Sequence, residues 1–307
     1  MEIASYRGMS ASTFRMGVDL GGTKIEAIVI DDHGSERFRK RIATPAGDYD
    51  ATVRALAALV TDADAAANTR VSVGVGIPGT ISPATGLVKN ANSICLIGRA
   101  LDRDLAAAIG RPVRLANDAD CFALSEATDG AAADAAIVFG IILGTGVGGG
   151  LVIGKQIVRG PNAITGEWGH NPLPWPCAEE LPGPRCYCGL NGCIETFLSG
   201  PALSRSYGGD GVTASDIVDR ANAGEAAAQT MLGIYIDRLA RATASIINIV
   251  DPHTIVLGGG LSKIAQLYSE VPTRWPAHVF SDVVVTKLVP PKFGDASGVR
   301  GAAWLWE

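Results

Sequence analysis

A strand, a turn rich in glycine and threonine, and a second strand occur twice in this chain. Apolar runs on both sides of a short glycine turn predict a β-hairpin. A repeat of this kind predicts a chain built from two similar halves. The predicted segments are residues 14–20, 21–23 and 25–30 in the first copy and 135–143, 144–146 and 150–153 in the second.

Each predicted hairpin is followed by a pattern typical of α/β crossovers. Residues 71–77 run into Pro78-Gly79, and residues 254–257 run into Gly258-Gly259-Gly260. The apolar stripe over residues 232–250 predicts a long helix that ends at Asp251-Pro252. The repeated order favours an α/β fold with two lobes. We also expect the apolar segment 297–306 to form a helix that returns to the first lobe.

The composition limits the possible partners. The chain has 307 residues, 47% of them apolar, and a formal net charge of −5. The acidic balance, without a basic run or an amphipathic basic helix, argues against binding to nucleic acid or a membrane and favours small-molecule ligands. Residues 1–13 lack the apolar core of a secretion signal, so we expect a flexible extension and a cytoplasmic protein.

Two glycine motifs resemble a dinucleotide-binding fingerprint. Residues 74–79 and 144–149 both match G-x-G-x-x-G. That fingerprint requires a helix that starts at its last glycine, whereas one match runs into a predicted strand and the other into a turn. A dehydrogenase is therefore disfavoured, and residues 17–24 have Thr-Lys where a P-loop needs Lys-Thr.

The two glycine turns suggest a different phosphate site. Backbone N–H groups in such turns can approach anions closely, and the hydroxyls of Thr23 and Thr145 add one donor each. Asp19, at the end of its predicted strand, is placed to hold Mg²⁺, which binds proteins through few carboxylates. Lys24 could contact phosphate or face water. The predicted phosphate-contacting residues are Gly21, Gly22, Thr23, Lys24, Gly144, Thr145 and Gly146.

A cluster of cysteines predicts a metal site. Cys186, Cys188 and Cys193 lie within eight residues in a long chain without a secretion signal, which favours a metal over disulfides. With His170 they offer the four soft donors that tetrahedral zinc prefers. Cys177 is the alternative fourth ligand. Outside the cluster, Cys95 and Cys121 are expected to be buried filler.

Several motifs together resemble the ROK family of sugar kinases over nearly the whole chain. They are Asp19-Leu20-Gly21-Gly22-Thr23-Lys24, Asn117-Asp118, Leu143-Gly144-Thr145-Gly146-Val147-Gly148, Gly166-Glu167-Trp168-Gly169-His170, Cys186-Tyr187-Cys188-Gly189 with Cys193-Ile194-Glu195, and Asp251-Pro252 before Gly258-Gly259-Gly260. The resemblance implies an α/β, actin-like ATPase (ribonuclease H-like) fold with two duplicated lobes around a central cleft. Within the family, segments 116–127, 167–175 and 297–306 look most like bacterial manno(fructo)kinase.

The resemblance also assigns roles to residues. It implies that Asp118 is the catalytic base, that Gly258, Gly259 and Gly260 belong to the nucleotide site, and that zinc is structural. Asp120 departs from the asparagine that is usual in the family, and we expect it to cap its helix or face solvent. The implied sugar-binding residues are Gly79, Asn92, Asn117, Asp118, Glu167, His170 and Glu195.

These observations predict an ATP-dependent hexose kinase that uses ATP, Mg²⁺ and a structural Zn²⁺ and forms a homodimer. Fructose is the leading substrate, mannose is second, and the alternatives are glucose or an N-acetylhexosamine. A sugar-responsive regulator is disfavoured because too few residues precede the first strand for a DNA-binding motif. The predicted domains are the extension 1–13, a smaller lobe 14–117 with 297–307, and a larger lobe 118–296 that carries the zinc loop.

Overall fold

The computed structural model describes residues 14–91, 93–208 and 211–306, so the predicted flexible extension at residues 1–13 lies outside the described residues. The chain divides into two compact units. The first contains the residues up to Cys121 and those from Gly298 onward, and the second runs from Phe122 to Ser297. The predicted lobe boundaries, residues 14–117 with 297–307 and residues 118–296, stay a prediction.

A run of three strands followed by helices and further strands occurs twice along the chain. The elements up to α3 are β1 Phe14–Leu20, β2 Lys24–Asp31, β3 Glu36–Ala43, α1 Tyr49–Ala67, β4 Ser72–Ile77, β5 Thr80–Ile81, β6 Val88–Lys89, α2 Leu101–Ile109, β7 Val113–Asn117 and α3 Asp118–Thr128. The later elements are β8 Ile137–Leu143, β9 Val147–Ile153, β10 Gln156–Ile157, α4 Glu195–Leu198, α5 Gly200–Tyr207, α6 Ala214–Asn222, α7 Ala226–Val250, β11 Thr254–Gly258, α8 Gln266–Arg274, β12 Lys287–Val289 and α9 Ser297–Trp304. Over the described ranges, every helix is too short or too polar to span a bilayer.

The two main sheets have the same topology. The first has the order β3-β2-β1-β4-β7, and the second has the order β10-β9-β8-β11-β12. In each, three antiparallel strands are followed by two strands that run parallel to the first strand of the hairpin. The predicted α/β fold with two similar halves is therefore confirmed, and the first predicted strand, residues 14–20, matches β1.

Burial explains why these segments fold as they do. The parallel strands β4 and β11 are buried along almost their whole length, as expected for a sheet covered on both faces. Helix α1 buries one stripe that includes Leu56, Leu59 and Val60, and Asp48 caps its first turn. Helix α7 ends where the sequence predicts, because Asp251 adopts a left-handed φ of 49° and a proline follows it.

The closing helix α9 lies directly against the first sheet. A Cβ atom added at Gly17 in β1 would lie 1.9 Å from the carbonyl oxygen of Val299, and one at Gly74 in β4 would lie 1.9 Å from that of Ala302. Only glycine permits this approach, since real Cβ atoms need more than 3 Å. The predicted return of this segment to the first half of the chain is thus explained by two glycines on adjacent strands.

Candidate functional site

The predicted site residues of the first unit lie at one edge of its sheet. Strands β1, β4 and β7 are parallel, with Asp19 opposite Gly76 and Ile77 opposite Asn117. The carboxyl ends of parallel strands meet at one edge, which is where ligands bind in α/β sheets. Asp118 follows β7 directly as the first residue of α3. The register therefore brings Asp19, Asn117 and Asp118 to the same edge.

Hydrogen bonds fix the backbone around Asp118. The backbone N–H of Ala119 donates to Oδ1 of Asn117 at 2.9 Å and to Oδ1 of Asp118 at 2.8 Å. Asn117 in turn donates through Nδ2 to the carbonyl oxygen of Gly79 at 3.3 Å. Asp118 is half-buried, and Asp120, expected to cap the helix or face solvent, is also half-buried with its Oδ1 shielded from water.

The first glycine turn joins β1 to β2. The N–H of Gly21 donates to the carbonyl oxygen of Lys24 at 3.0 Å, and the Thr44 hydroxyl donates to the carbonyl oxygen of Gly21 at 2.7 Å. Gly22, Thr23 and Lys24 are exposed. Exposed glycine turns of this kind can offer N–H groups to an anion, and the Thr23 hydroxyl adds a donor.

Asp19 precedes this turn and is half-buried. Burial raises its pKa above the ordinary value of 3.8 and nearby Glu26 adds to the shift, while Lys24 opposes it. A carboxylate in such surroundings favours a cation beside it. Asn92, the remaining predicted sugar contact of the first half, lies outside the described residues.

The second glycine turn joins β8 to β9 in the second unit. The N–H of Gly144 donates to the carbonyl oxygen of Gly146 at 3.0 Å. Gly259 has a φ of 80°, and a Cβ there would lie 2.3 Å from the carbonyl oxygen of Leu143. The close approach of these backbones explains the glycine at position 259, directly after strand β11, which pairs with β8.

A cavity of about 670 Å³ opens beside this turn. Gly144, Thr145 and Gly260 line it, whereas Gly146, Gly258 and Gly259 do not. The opposite walls come from α5, α6 and the segment after Gly260, none of which the sequence analysis singled out. These further lining residues are Gly200, Pro201, Thr213, Ala214, Ser215, Val218, Asp219, Asn222, Leu261, Lys263 and Ile264.

The structure brings the predicted metal ligands together. The donor atoms of His170, Cys186, Cys188 and Cys193 all lie within 4.8 Å of one another. The distance from Cys186 Sγ to His170 Nδ1 is 3.6 Å, and that from Cys188 Sγ to Cys193 Sγ is also 3.6 Å. Cys177, the alternative ligand, lies outside this group. Of the two cysteines expected to be buried filler, Cys121 is buried but Cys95 is only half-buried.

These distances match a tetrahedral zinc site. Bonds of about 2.3 Å to sulfur and about 2.0 Å to nitrogen place tetrahedral ligand atoms roughly 3.6 to 3.8 Å apart. Burial raises the pKa of the Cys186 and Cys193 thiols, whereas the backbone N–H of Leu190 lowers that of Cys188. The donor set and its spacing therefore fit zinc, which replaces the thiol protons when it binds.

Tyr187, which the sequence analysis did not single out as a site residue, contacts this cluster. Its hydroxyl lies 2.9 Å from His170 Nε2, and the two rings meet edge to face with centroids 5.1 Å apart. Burial and the nearby carboxylates of Glu195 and Glu167 raise the pKa of Tyr187 to about 12. Because the neutral Tyr187 hydroxyl contacts Nε2 of His170, the other ring nitrogen, Nδ1, remains available to the cysteine cluster. No sequence pattern signals such a contact, because it depends on the folded loop.

A buried ion-pair network anchors the proline-rich loop that leads to the cysteines. Glu180 Oε1 accepts hydrogen bonds from Arg238 at 2.8 Å and from Arg241 at 2.9 Å, and its Oε2 accepts one from the Cys177 N–H at 3.0 Å. Although burial raises the pKa of Glu180, these bonds lower it to about 2. Arg241 also donates to the carbonyl oxygens of Pro174 and Trp175. The loop is thus tied to helix α7 at several points.

Glu167 and Glu195, the two predicted sugar-contacting carboxylates of the second unit, differ in their surroundings. Glu167 is exposed and precedes the short 3₁₀ helix Trp168–His170. Glu195 is half-buried, begins α4, and accepts a hydrogen bond from the Val147 N–H at 3.0 Å. The first carboxylate is therefore open to solvent, while the second is already engaged with the glycine hairpin.

Comparisons with known proteins show which family this chain resembles. The ROK family model matches residues 15–307. The N-acetyl-D-glucosamine kinase of Yersinia enterocolitica is 40% identical over 94% of this chain and 98% of its own length.

Solved structures agree with this match. The ROK hexokinase of Thermus thermophilus has 30% identity and a TM-score of 0.83, covering 95% of this chain and 97% of its own. A ROK family glucokinase from Streptomyces griseus, solved with glucose and AMPPNP, has 28% identity and a TM-score of 0.76, with coverage of 95% and 98%. The fold is accordingly the actin-like ATPase fold, and the chain belongs to the ROK family.

Proposed function

We propose that this protein is an ATP-dependent kinase for an N-acetylated hexosamine, with N-acetyl-D-glucosamine as the leading substrate and its C6 hydroxyl as the acceptor. The observation that carries the proposal is 40% identity to a curated N-acetyl-D-glucosamine kinase over 94% of the chain. The general class, a sugar kinase of the ROK family, is supported by the hexokinase and glucokinase structures as well.

The substrate preference differs from the one expected from the sequence alone. The motif comparison placed fructose and mannose first and an N-acetylhexosamine among the alternatives. The curated relatives from Yersinia and Pectobacterium are N-acetyl-D-glucosamine kinases, so the alternative becomes the main proposal. The first expectation rested on three short segments, residues 116–127, 167–175 and 297–306, whereas the identity to the N-acetyl-D-glucosamine kinase extends over 94% of the chain.

Asp118 would act as the general base. Phosphoryl transfer depends mostly on positioning and charge stabilisation, and the sugar hydroxyl must lose a proton as it attacks. The half-buried carboxylate of Asp118 lies at the carboxyl edge of a parallel sheet, and the Ala119 N–H donates to its Oδ1 and to that of Asn117. A base held in this way can align the hydroxyl without first reorganising.

The cavity of the second unit would hold the nucleoside, and each glycine turn offers donors for phosphate. Exposed N–H groups of the first turn and Thr145 of the second suit phosphate oxygens. The cavity of about 670 Å³ is large enough for a nucleoside and includes the polar side chains of Thr213 and Asp219. Asp19 would hold Mg²⁺, which neutralises phosphate charge when bound.

The histidine and three cysteines would hold a structural zinc ion. The spacing of the four donor atoms fits tetrahedral coordination, and a closed site of this composition stabilises a fold. His170 and Glu195 are also proposed sugar contacts, together with Glu167. Zinc in this loop would therefore order part of the sugar site.

A panel of sugars tests the proposal. ADP release would be measured with purified protein, MgATP and either N-acetyl-D-glucosamine, glucose, mannose or fructose. We expect the highest kcat/KM with N-acetyl-D-glucosamine, with glucose second because a related structure holds glucose. A higher kcat/KM with fructose or mannose would return the assignment to the first expectation. Sugar-independent ATP hydrolysis alone would contradict a kinase. The homodimer stays a prediction that sedimentation can test.

A further inference from the structure

A hydrogen bond connects a proposed sugar residue to the second glycine turn. Oε2 of Glu195 accepts the N–H of Val147 at 3.0 Å, and Val147 is the first residue after Gly146. A Cβ atom added at Gly146 would lie 2.7 Å from the same oxygen. The carboxylate therefore touches the turn through one oxygen, and its second oxygen remains for another ligand.

The other end of the same short segment holds the same turn. The N–H of Gly200 donates to the carbonyl oxygen of Gly144 at 2.8 Å. Between Glu195 and Gly200, helix α4 is buried through Thr196, Phe197 and Leu198. The turn is thus held by bonds from both ends of one packed segment, so movement of that segment would move the turn.

The segment is continuous with the metal cluster. Cys193 provides one sulfur of the cluster, and the N–H of Ile194 donates to the carbonyl oxygen of Asn171 at 2.9 Å. Asn171 follows the cluster's histidine directly. The residue after His170 and the residue after Cys193 are therefore hydrogen-bonded to each other, directly before α4 begins.

From this arrangement we infer that Glu195 is a positioning residue for the nucleotide, through the Val147 N–H, in addition to its proposed contact with sugar. This inference rests on the proposed function. The carboxylate fixes the conformation of the Gly144–Gly146 hairpin before ATP arrives, so less ordering is required on binding. Glu195 therefore affects nucleotide affinity even when sugar is absent.

Calorimetric titration of AMPPNP with Mg²⁺ into sugar-free protein tests the inference. We expect Glu195→Ala to weaken AMPPNP binding about tenfold, the effect of one well-placed hydrogen bond to a charged group. Glu167→Ala is the matched control, because Glu167 is the other proposed sugar-contacting carboxylate of this unit but is exposed. We expect this variant to change AMPPNP affinity less than about twofold and to weaken sugar binding. Equal AMPPNP affinity for wild type and Glu195→Ala would overturn the inference, whereas failure of the wild type to bind AMPPNP would overturn the proposed function.

A double-mutant cycle separates positioning from general damage. Gly146→Ala places a methyl group against the Glu195 carboxylate, and Gly146 has no left-handed φ that would itself forbid alanine. We expect Gly146→Ala to weaken AMPPNP binding in the wild type but to add little in the Glu195→Ala background. Additive effects of the two changes would contradict the inference. Circular dichroism and thermal melting verify that each variant is folded. If Glu195→Ala does not fold, Glu195→Gln replaces it, because it keeps a carbonyl acceptor for the Val147 N–H. Glu195→Gln should retain AMPPNP affinity within about threefold, and a larger loss would overturn the inference.

Discussion

The two glycine turns have matching positions in their sheets but different supports. The first is stabilised by Thr44, which follows the neighbouring strand β3 and donates both its N–H and its hydroxyl to the turn. The second is stabilised by Glu195 and Gly200, which lie about 50 residues further along the chain. A local duplication thus specifies the hairpin, but not the residues that hold it in place.

This difference has a functional meaning. The support of the first turn comes from Thr44, directly after the neighbouring strand β3, through its backbone N–H and its hydroxyl. The support of the second turn passes through the metal loop, so it depends on the cysteine cluster and on the ion pairs that anchor the loop. The second turn is therefore the one that metal loss or loop damage should disturb.

The largest effect should come from a residue outside both turns. Asp118→Asn removes the proposed proton acceptor while leaving the turns intact, so we expect kcat to fall by about three orders of magnitude. AMPPNP and sugar affinities should change little, and stopped-flow or coupled assays with binding titrations measure both. A variant that kept more than roughly a tenth of kcat would exclude the role of Asp118 as base.

Breaking the ion pairs that anchor the proline-rich loop should lower the stability of the folded protein. Glu180→Ala leaves Arg241 and Arg238 without their shared carboxylate, and we expect a loss of about 3 kcal/mol in the free energy of unfolding. Because the folded pKa of Glu180, about 2, lies below its ordinary value of 4.5, its contribution is present above pH 4.5 and is lost as pH falls toward 2. Chemical denaturation at pH 7 and pH 3 should show a difference between wild type and variant that shrinks at the lower pH. A constant difference would contradict this assignment.

A change beside the first turn should raise stability and lower activity. Asp19 has a raised pKa, so the folded protein binds its proton more tightly and loses stability as pH rises from 3.8 through the folded value. At pH 7 Asp19→Asn removes this unfavourable charge, and we expect a higher Tm in Mg²⁺-free buffer. Activity with MgATP should fall about a hundredfold. If Asp19→Asn had a lower Tm and normal activity, the Asp19 charge would not be destabilised by burial and Asp19 would not contact Mg²⁺.

The hydroxyl of Tyr187 should affect the affinity of the His170 and cysteine cluster for the proposed zinc ion. Partners of the second ring nitrogen of a ligating histidine typically change metal affinity by about 10- to 100-fold. We expect Tyr187→Phe to release zinc to a competing chelator at about tenfold lower chelator concentration. Tyr207→Phe, which changes a tyrosine bonded to Glu225 instead, is the control. Identical zinc retention in all three proteins would mean that the hydrogen bond does not orient His170.

The smallest effect should come from the hydroxyl that supports the first turn. Thr44→Val removes the bond to Gly21 but leaves the backbone N–H bond to Thr23, so the KM for ATP should rise about fivefold. Thr44→Ser keeps the hydroxyl and should behave like the wild type. If Thr44→Val raised KM more than Glu195→Ala weakened AMPPNP binding, the proposed order of the two supports would be reversed.

The sequence predicted those parts of the molecule that depend on local chemistry. Hydrophobic periodicity and glycine turns located β1 and the hairpins, and cysteine spacing located a group of four close donor atoms that includes His170 but not Cys177. The strand β9 begins at Val147, three residues before the predicted start, because glycines at 148–150 are accommodated within the ladder opposite β8. Propensity alone disfavours glycine in a strand, and pairing overrides it.

Contacts between distant segments could not be predicted from the sequence. The bond from Val147 to Glu195, the contact of Tyr187 with His170, and the cavity walls from α5 and α6 all depend on how loops pack after folding. Substrate preference is likewise set by side chains around a single substituent of the sugar, and motifs shared across a family do not report on it.

The closing helix α9 has a consequence for biosynthesis. The backbones of Gly17 and Gly74 are shaped to receive it, yet it is translated only after the whole of the second unit. Strands β1 and β4 therefore leave the ribosome well before the helix that packs against them. During that interval the nascent chain presents an incomplete sheet, and its yield in cells should depend on how well that sheet is shielded until translation passes Ser297.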